Sequence, residues 1–328
     1  MKKVIKKAVL VLICIIVLAL LYVLLVPLTE SIKSDPVEGS DSWMARIGND
    51  TLLSDISIPG THDSATQYVQ LAFFSRCQSL SIGEQLRDGI RYLDIRLGAV
   101  SDKTGDDLLL YHGFCRCKRG FLPWEKDLTI AGVLERCYVF LEAHPTETII
   151  FAVKMERGDD AAKLQTILHD YIAMDPDMWY LSDEIPRLGE CRGKLVLFRR
   201  YEDALGLGSA SGIEMFWEDQ GGNEDTSASA ALEKQSTYDL LVQDRYKYSA
   251  ADKWAAFNRT FELDGGGDLR INFLSTNGTP KYGHPFTYAK ILDRNLLNEE
   301  LPSVPRSWII IDFANAELAE HIYDINFR

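Results

Sequence analysis

The stretch Ile56-Ser57-Ile58-Pro59-Gly60-Thr61-His62-Asp63 runs through apolar and small residues and stops at an imidazole and a carboxylate. Two later segments share that form: Tyr92-Leu93-Asp94-Ile95-Arg96 delivers a carboxylate and a guanidinium, and Leu110-Tyr111-His112-Gly113 a second imidazole. Short apolar runs stopped by polar turns read as buried strands. Working outward, strands end near Ile58, Arg96, Tyr111, Val153, Phe198, Val242, Phe273 and Ile311, eight in all. Between them Ile82–Arg87, Leu128–Leu141, Ala161–Ile172 and Tyr288–Leu297 carry apolar residues at helical spacing. Eight strands joined by helices predict a parallel α/β barrel of the (β/α)8 TIM type. The Gly-, Ser-, Ala- and acid-rich stretch Glu202–Gln235 breaks the rhythm, so the barrel is expected to be distorted or incomplete. Asp264-Gly265-Gly266-Gly267-Asp268 lacks the Lys of a phosphate loop and the terminal Glu of a calcium loop, and reads as a turn.

Parallel barrels build their sites at the carboxyl ends of the strands. Those ends carry His62 and Asp63, Asp94 and Arg96, His112, Lys154 and Glu156, Arg199 and Arg200, Asp244 and Tyr246, Ser275, and Asp312. Two imidazoles with cations and carboxylates suit proton transfer around a phosphodiester. One base takes a proton from a hydroxyl beside the ester, the oxygen attacks phosphorus to close a cyclic phosphate, and an acid protonates the departing alkoxide. Each imidazole needs an orienting partner, a role for Asp312 or Asp63. Arg96 can hold the non-bridging oxygens, so this chemistry calls for no divalent ion and no cofactor. Asp94, at the end of its strand, joins the candidate substrate-binding groups. His144, His169, His284 and His321 lie in no motif and read as surface or packing residues.

From about Trp43 to the C-terminus the chain resembles the bacterial phosphatidylinositol-specific phospholipase C family. The blocks that carry the resemblance are Ser57–Ser64, Asp94-Ile95-Arg96, His112-Gly113, Pro145–Ile150, Arg199-Arg200-Tyr201, Val242–Lys247 and Ile311-Asp312-Phe313. The resemblance implies that His62 is the general base on the inositol 2-hydroxyl with Asp312 as its partner. It implies likewise that His112 is the general acid supported by Asp63, and that Arg96 holds the phosphate. Lys154, Arg200, Asp244 and Tyr246 fall where the family binds the inositol ring, and an arginine at position 96 resembles the metal-independent branch. Phe121, Leu122, Trp124, Phe216 and Trp217 are the candidates for the family's membrane-contacting rim.

The N-terminus is different in kind. Lys2, Lys3, Lys6 and Lys7 precede an uncharged apolar run from Ala8 to Leu28, long enough to cross a bilayer and without the small residues of a cleavage site. Residues 1–28 therefore read as cytoplasmic lysines and an uncleaved single-pass anchor, 29–42 as an exposed linker, and 43–328 as the catalytic barrel outside the cytoplasm. Cleavage at the N-terminus would give a secreted form instead. Residues 1–40 carry five lysines and three acidic residues, net +2 of a total −13, which leaves −15 for the rest. So acidic a body excludes nucleic acid as a partner. The expected partners are a phosphatidylinositol-type lipid and the membrane, and a monomer is expected. Cys77, Cys115, Cys117, Cys137 and Cys191 show no paired zinc spacing and read as structural or disulfide-forming.

The expected activity is that of a phosphatidylinositol diacylglycerol-lyase acting on phosphatidylinositol and related glycosylated inositol lipids. The alternatives are a barrel phosphodiesterase of glycerophosphodiester type and a non-catalytic surface protein that binds inositol lipids or glycans.

Overall fold

The computed structural model describes residues 2–103, 105–122, 124–221, 231–233, 238–263, 268–278, 283–304 and 306–328. Its strands in chain order are β1 (Ile58–Thr61), β2 (Tyr92–Asp102), β3 (Gly105–His112), β4 (Cys115–Arg116), β5 (Ile149–Arg157), β6 (Trp179–Tyr180), β7 (Leu195–Arg200), β8 (Ile213–Glu214), β9 (Ala231–Glu233), β10 (Leu240–Gln243), β11 (Leu269–Phe273) and β12 (Trp308–Ile311). The α-helices are α1 (Lys2–Leu25), α2 (Ala72–Ser75), α3 (Ile82–Arg87), α4 (Ile130–Ala143), α5 (Ala161–Met174), α6 (Leu188–Cys191), α7 (Ala250–Glu262), α8 (Pro285–Asn298) and α9 (Ala316–Tyr323).

The main strands line up as β7-β5-β2-β1-β12-β11-β10, every neighbouring pair parallel. Such strands are covered on both faces, which is why Ile149-Ile150-Phe151-Ala152-Val153, Leu195-Val196-Leu197-Phe198 and Trp308-Ile309-Ile310-Ile311 are apolar throughout and buried. The short β6 and β8 lie parallel to β7 at one edge, and β9 lies antiparallel to β10 at the other. No pairing among the described residues joins the two edges, so the sheet curls into a distorted TIM barrel that stays open. Trp308 fills its interior between Phe198 and Tyr92, with ring centroids 5.1 and 5.8 Å away.

Several expectations need correction. The strand ending at Tyr111 is not a barrel stave: β3 folds back antiparallel on the overlong β2, with Leu110 opposite Leu97, and forms a hairpin outside the parallel order. Its nominal place is taken at the β7 edge by the two-residue β8, inside a stretch expected to be all loop. Within that stretch residues 222–230 and 234–235 lie outside the described residues, as does most of the glycine run, residues 264–267. The expected helices appear as α3, α4, α5 and α8, whereas α7 and α9 were not foreseen. Residues 29–42 are not a free spacer, because Glu30 and Ser40 are buried against the barrel. The five cysteines of the body are buried and unpaired as thiols. Helix α1 belongs to a span, Val4–Thr29, long and apolar enough to cross a membrane, whose most apolar 18-residue window is not buried in the protein.

Candidate active site

The site forms where β1 and β12 end side by side. The backbone N–H of His62 donates to the Ile311 carbonyl at 3.0 Å. The buried Gln78 amide then staples both strand ends, donating to the carbonyls of His62 and Ile311 at 2.9 Å each and accepting from Ala314 N–H at 3.1 Å. This brings His62 Nδ1 to 2.8 Å from Asp312 Oδ1. The next residue turns sharply. Asp63 has a φ of 43°, a left-handed conformation rare outside glycine, held by Ser64, whose Oγ donates to the Thr61 carbonyl at 2.9 Å and accepts Asp94 N–H at 2.8 Å. The turn throws the Asp63 carboxylate back beneath His62 Nε2, 3.1 Å away.

Alternation along β2 sends Asp94 and Arg96 to the same face. The Arg96 Nε and Nη2 meet Asp94 Oδ2 at 3.0 and 2.9 Å, and its Nη1 lies 3.2 Å from Asp63 Oδ2. A β-bulge in β5 after Met155 supplies one extra residue, Glu156, whose carboxylate accepts from Lys154 Nζ at 2.7 Å and from Gly113 N–H at 2.9 Å. His112 arrives on the β2–β3 hairpin. Its Nε2 is 3.5 Å from Asp63 Oδ2, and its ring centroid lies 6.0 Å from that of His62 in an edge-to-face arrangement. Asp63 thus faces both imidazoles and the guanidinium.

These contacts fix the protons. A carboxylate accepts at His62 Nδ1, so that nitrogen carries hydrogen and Nε2 is the titrating position. Burial pulls the His62 pKa down, but the Asp63 and Asp312 carboxylates outweigh both it and Arg96 and leave the value raised above 6.5. Burial raises Asp63, against the pull of Arg96, His112 and His62. Burial also opposes ionisation of Asp94, yet Arg96 leads the charges that hold it well below the ordinary carboxylate range. At His112 the Nδ1–H donates to the Ser75 carbonyl at 2.6 Å, so a backbone oxygen sets its tautomer and Asp63 lies on the Nε2 side. Ser75 and Gln78 carried no signal in the sequence, because their roles depend on where α2 and the β12 end fall in space.

The remaining predicted residues spread around the same mouth. The Arg200 guanidinium stacks 3.4 Å over the Trp217 ring, whose Nε1–H donates to Asp244 Oδ2 at 3.1 Å. Trp217 is therefore a wall of the site, not part of an exposed rim, and Phe216 and Leu122 are only half-exposed, whereas Phe121 and Trp124 are well exposed. Arg199 points to the opposite face of β7 and bonds Ser211 and Glu214. Tyr246 donates its hydroxyl to Asp219 Oδ1 at 2.8 Å. Cys77, read from the sequence as structural or disulfide-forming, lies at the site, buried with Sγ 3.8 Å from His112 Nδ1. With it, three groups have ligand-type atoms within 4.8 Å of one another: His62, Cys77 and Asp312; Asp63, Cys77 and His112; and His62, Asp63 and Asp94. Their carboxylates already face Arg96 or a histidine, so the fixed cations of the chain balance the acidic groups.

An open parallel barrel with two histidines, an arginine and their carboxylates at its strand ends defines the class. The X domain of phosphatidylinositol-specific phospholipase C matches residues 51–201. A 1-phosphatidylinositol phosphodiesterase of Staphylococcus aureus is 26% identical over 307 residues, covering 87% of this chain and 91% of the relative. The enzyme of that name from Listeria monocytogenes is 31% identical over 169 residues, 47% of each chain. Among solved structures, the S. aureus phosphatidylinositol-specific phospholipase C superposes with a TM-score of 0.69 at 22% identity, covering 88% of this chain and 97% of that one. The Listeria monocytogenes phospholipase gives 0.64 at 24% identity, covering 88% and 98%, and at such identities both likenesses are ones of fold. Residues 51–201 thus match the X domain of phosphatidylinositol-specific phospholipase C, and over most of its length the chain is similar to the bacterial enzymes of that name.

Proposed function

We propose that this chain cleaves phosphatidylinositol to diacylglycerol and inositol 1,2-cyclic phosphate, with His62 as base and His112 as acid. The observation that carries the reading is the 6.0 Å separation of the two rings across Asp63 and Arg96. That spacing lets one phosphate touch both imidazoles and the guanidinium. His62 Nε2, neutral, takes the proton of the inositol 2-hydroxyl, and the oxygen's electron pair forms the new bond to phosphorus. The phosphorus–oxygen bond to glycerol breaks, and His112 Nε2–H, as imidazolium, gives its proton to that oxygen. Arg96 offsets the charge that builds on the non-bridging oxygens, and Asp312 stabilises the imidazolium formed at His62. The cycle closes when His62 returns its proton and His112 regains one, directly or through slower hydrolysis of the cyclic product by water with the roles exchanged.

In the substrate-free site Asp63 sits against His62 Nε2. A phosphate entering beside Arg96 takes the guanidinium and frees the base, leaving Asp63 to His112. Lys154, Arg200, Asp244, Tyr246 and Asp94 form the inositol-binding wall in this reading. Residues 43–328 are the catalytic unit, residues 1–28 anchor it in the membrane with the barrel outside the cytoplasm, and residues 29–42 connect the two. Phosphorus NMR of phosphatidylinositol vesicles, with chelator present, tests the reading: a cyclic phosphodiester resonance is expected first and a monoester later. A monoester with no cyclic precursor, or activity only on added metal, refutes it.

A further inference from the structure

Residues 26–34, which follow α1, are bound to the barrel, and among the described residues their bonds to it fall at one end. The carbonyl of the buried Pro27 accepts from the Arg76 guanidinium. Glu30, 3% exposed, places Oε1 2.6 Å from His284 Nε2. The Ile32 carbonyl accepts from Asn315 Nδ2 at 3.2 Å, and Ser34 Oγ accepts from Glu317 N–H at 3.4 Å. Arg76 lies in the connection after β1, His284 in the one after β11, and Asn315 and Glu317 just after β12. These are the carboxyl ends of the strands, the same end that carries His62 and Asp312. Helix α1 itself reaches this end, with the Tyr22 ring 5.7 Å from Phe73, which stacks on His284 at 4.1 Å.

We propose that residues 26–34 are a fixed strut that holds the catalytic end of the barrel against the bilayer crossed by α1, so that the site opens onto the surface in which its own anchor is embedded. The proposal rests on the reading of α1 as a span and of the site as a lipid-cleaving centre. A loose tether would raise the local concentration of lipid but leave the barrel free to tumble, whereas a docked one also fixes orientation. The surface beside the strut suits a lipid partner. Leu71, Phe74 and Phe114 are 56%, 46% and 70% exposed. They flank Ser75, whose carbonyl holds His112 and whose hydroxyl meets Cys115 Sγ at 3.3 Å, so the apolar side chains border the mouth. Buried Glu30 accounts for the rigidity: a carboxyl group taken from water is costly to leave unpaired, and Glu30 has both His284 Nε2 at 2.6 Å and the positive charge of Arg76 beside it.

The test uses the full chain reconstituted in phosphatidylcholine vesicles containing phosphatidylinositol. An insertion of about ten Gly and Ser residues between Leu25 and Val26 leaves strut and barrel intact but uncouples them from α1. The rate on lipid of the same vesicle is expected to fall about tenfold, and the rate on a monomeric, water-soluble inositol phosphodiester to stay unchanged. In parallel, Phe74→Trp adds emission, read as the difference from the parent chain, that brominated lipids quench in the uninserted protein and quench much less after the insertion. An unchanged vesicle rate with unchanged quenching, or recovery of the chain from membranes without α1, overturns the proposal. If neither substrate is cleaved by any form, the catalytic reading fails, and the quenching measurement still decides the strut.

Discussion

Replacing Asp312 by Asn tests the catalytic reading most directly. The change keeps shape and removes one charge from a 2.8 Å contact with His62 Nδ1 at a position 4% exposed. Burial alone would lower the pKa of His62, and Asp63 and Asp312 together keep it raised. A hydrogen bond to a charged group contributes about 1.5–3 kcal/mol. At 1.36 kcal/mol per unit, its loss lowers the His62 pKa by about one to two units. His62 must be neutral to act, so the acid limb of kcat/KM, set by a pKa above 6.5, moves down by that amount. The plateau also drops, by about 10- to 100-fold, because the imidazolium formed in the transition state has lost its partner, and an Asn amide can donate to Nδ1 and fix the wrong tautomer. Stability changes with the opposite sense of pH. A histidine whose folded pKa is raised contributes stability that is complete below its unfolded pKa and is lost as pH rises through the folded value, so the variant is penalised more in acid than in alkali. The assay is cyclic-phosphate release from mixed micelles across about pH 5 to 9, with urea unfolding at both ends. An acid limb that stays in place at full rate would refute the assignment of His62 and Asp312 as base and partner.

His112→Ala is expected to slow cleavage of phosphatidylinositol by about 10²- to 10⁴-fold, the usual share of a general acid, but far less for an inositol phosphate ester with a nitrophenol leaving group that needs no proton. Equal losses on both substrates would rule out an acid role. Arg91 and Glu147, both 0% exposed, pair at 2.8 Å beneath the barrel, and Glu147→Ala strands a guanidinium whose pKa burial already lowers. The cost is about 3–5 kcal/mol in chemical denaturation, and a loss below 1 kcal/mol would show that the pair is not buried in solution. A Cβ at Gly60 would stand 2.5 Å from Ile310 Cδ1 and 2.8 Å from Tyr92 Cβ, so Gly60→Ala is expected to cost about 1–3 kcal/mol and to lower activity by shifting His62. An unaltered melting temperature would contradict the packing.

The barrel was legible because its staves are continuous apolar runs, and the site because each run stops in chemically unlike groups. His62, Asp63, Asp94, Arg96, His112 and Asp312 converge as expected, although their catalytic roles rest on the proposed mechanism. What local pattern cannot carry is which way a strand runs. Leu108-Leu109-Leu110-Tyr111 is as apolar as a stave, and only the length of β2, which overshoots its neighbours to Asp102, leaves room for an antiparallel partner. Helices α7 and α9 were obscured by polar faces, with Lys253 and Asn315 buried among their apolar residues. The strut was hidden because a segment poor in apolar residues reads as solvent-exposed, while its contacts are made by Glu30, Pro27 and backbone carbonyls. Trp217 resembled a rim aromatic until Arg200 and Asp244 were seen on either side of it.

In the proposed mechanism, the hairpin that carries His112 gives the base and the acid different mechanical supports. His62 is rooted in the central staves, where β1 and β12 share four consecutive register pairs and Gln78 ties their ends. His112 sits on a hairpin outside the parallel order, paired to the barrel through β2 and moored at its sides by the Ser75 carbonyl, by Glu156 at Gly113 N–H and by the backbone of Leu128 and Tyr68. In that mechanism, a change that shifts the hairpin would weaken protonation of the departing diacylglycerol oxygen more than attack by the inositol oxygen, so substitutions there are expected to change which leaving alcohol is tolerated before they change recognition of the sugar.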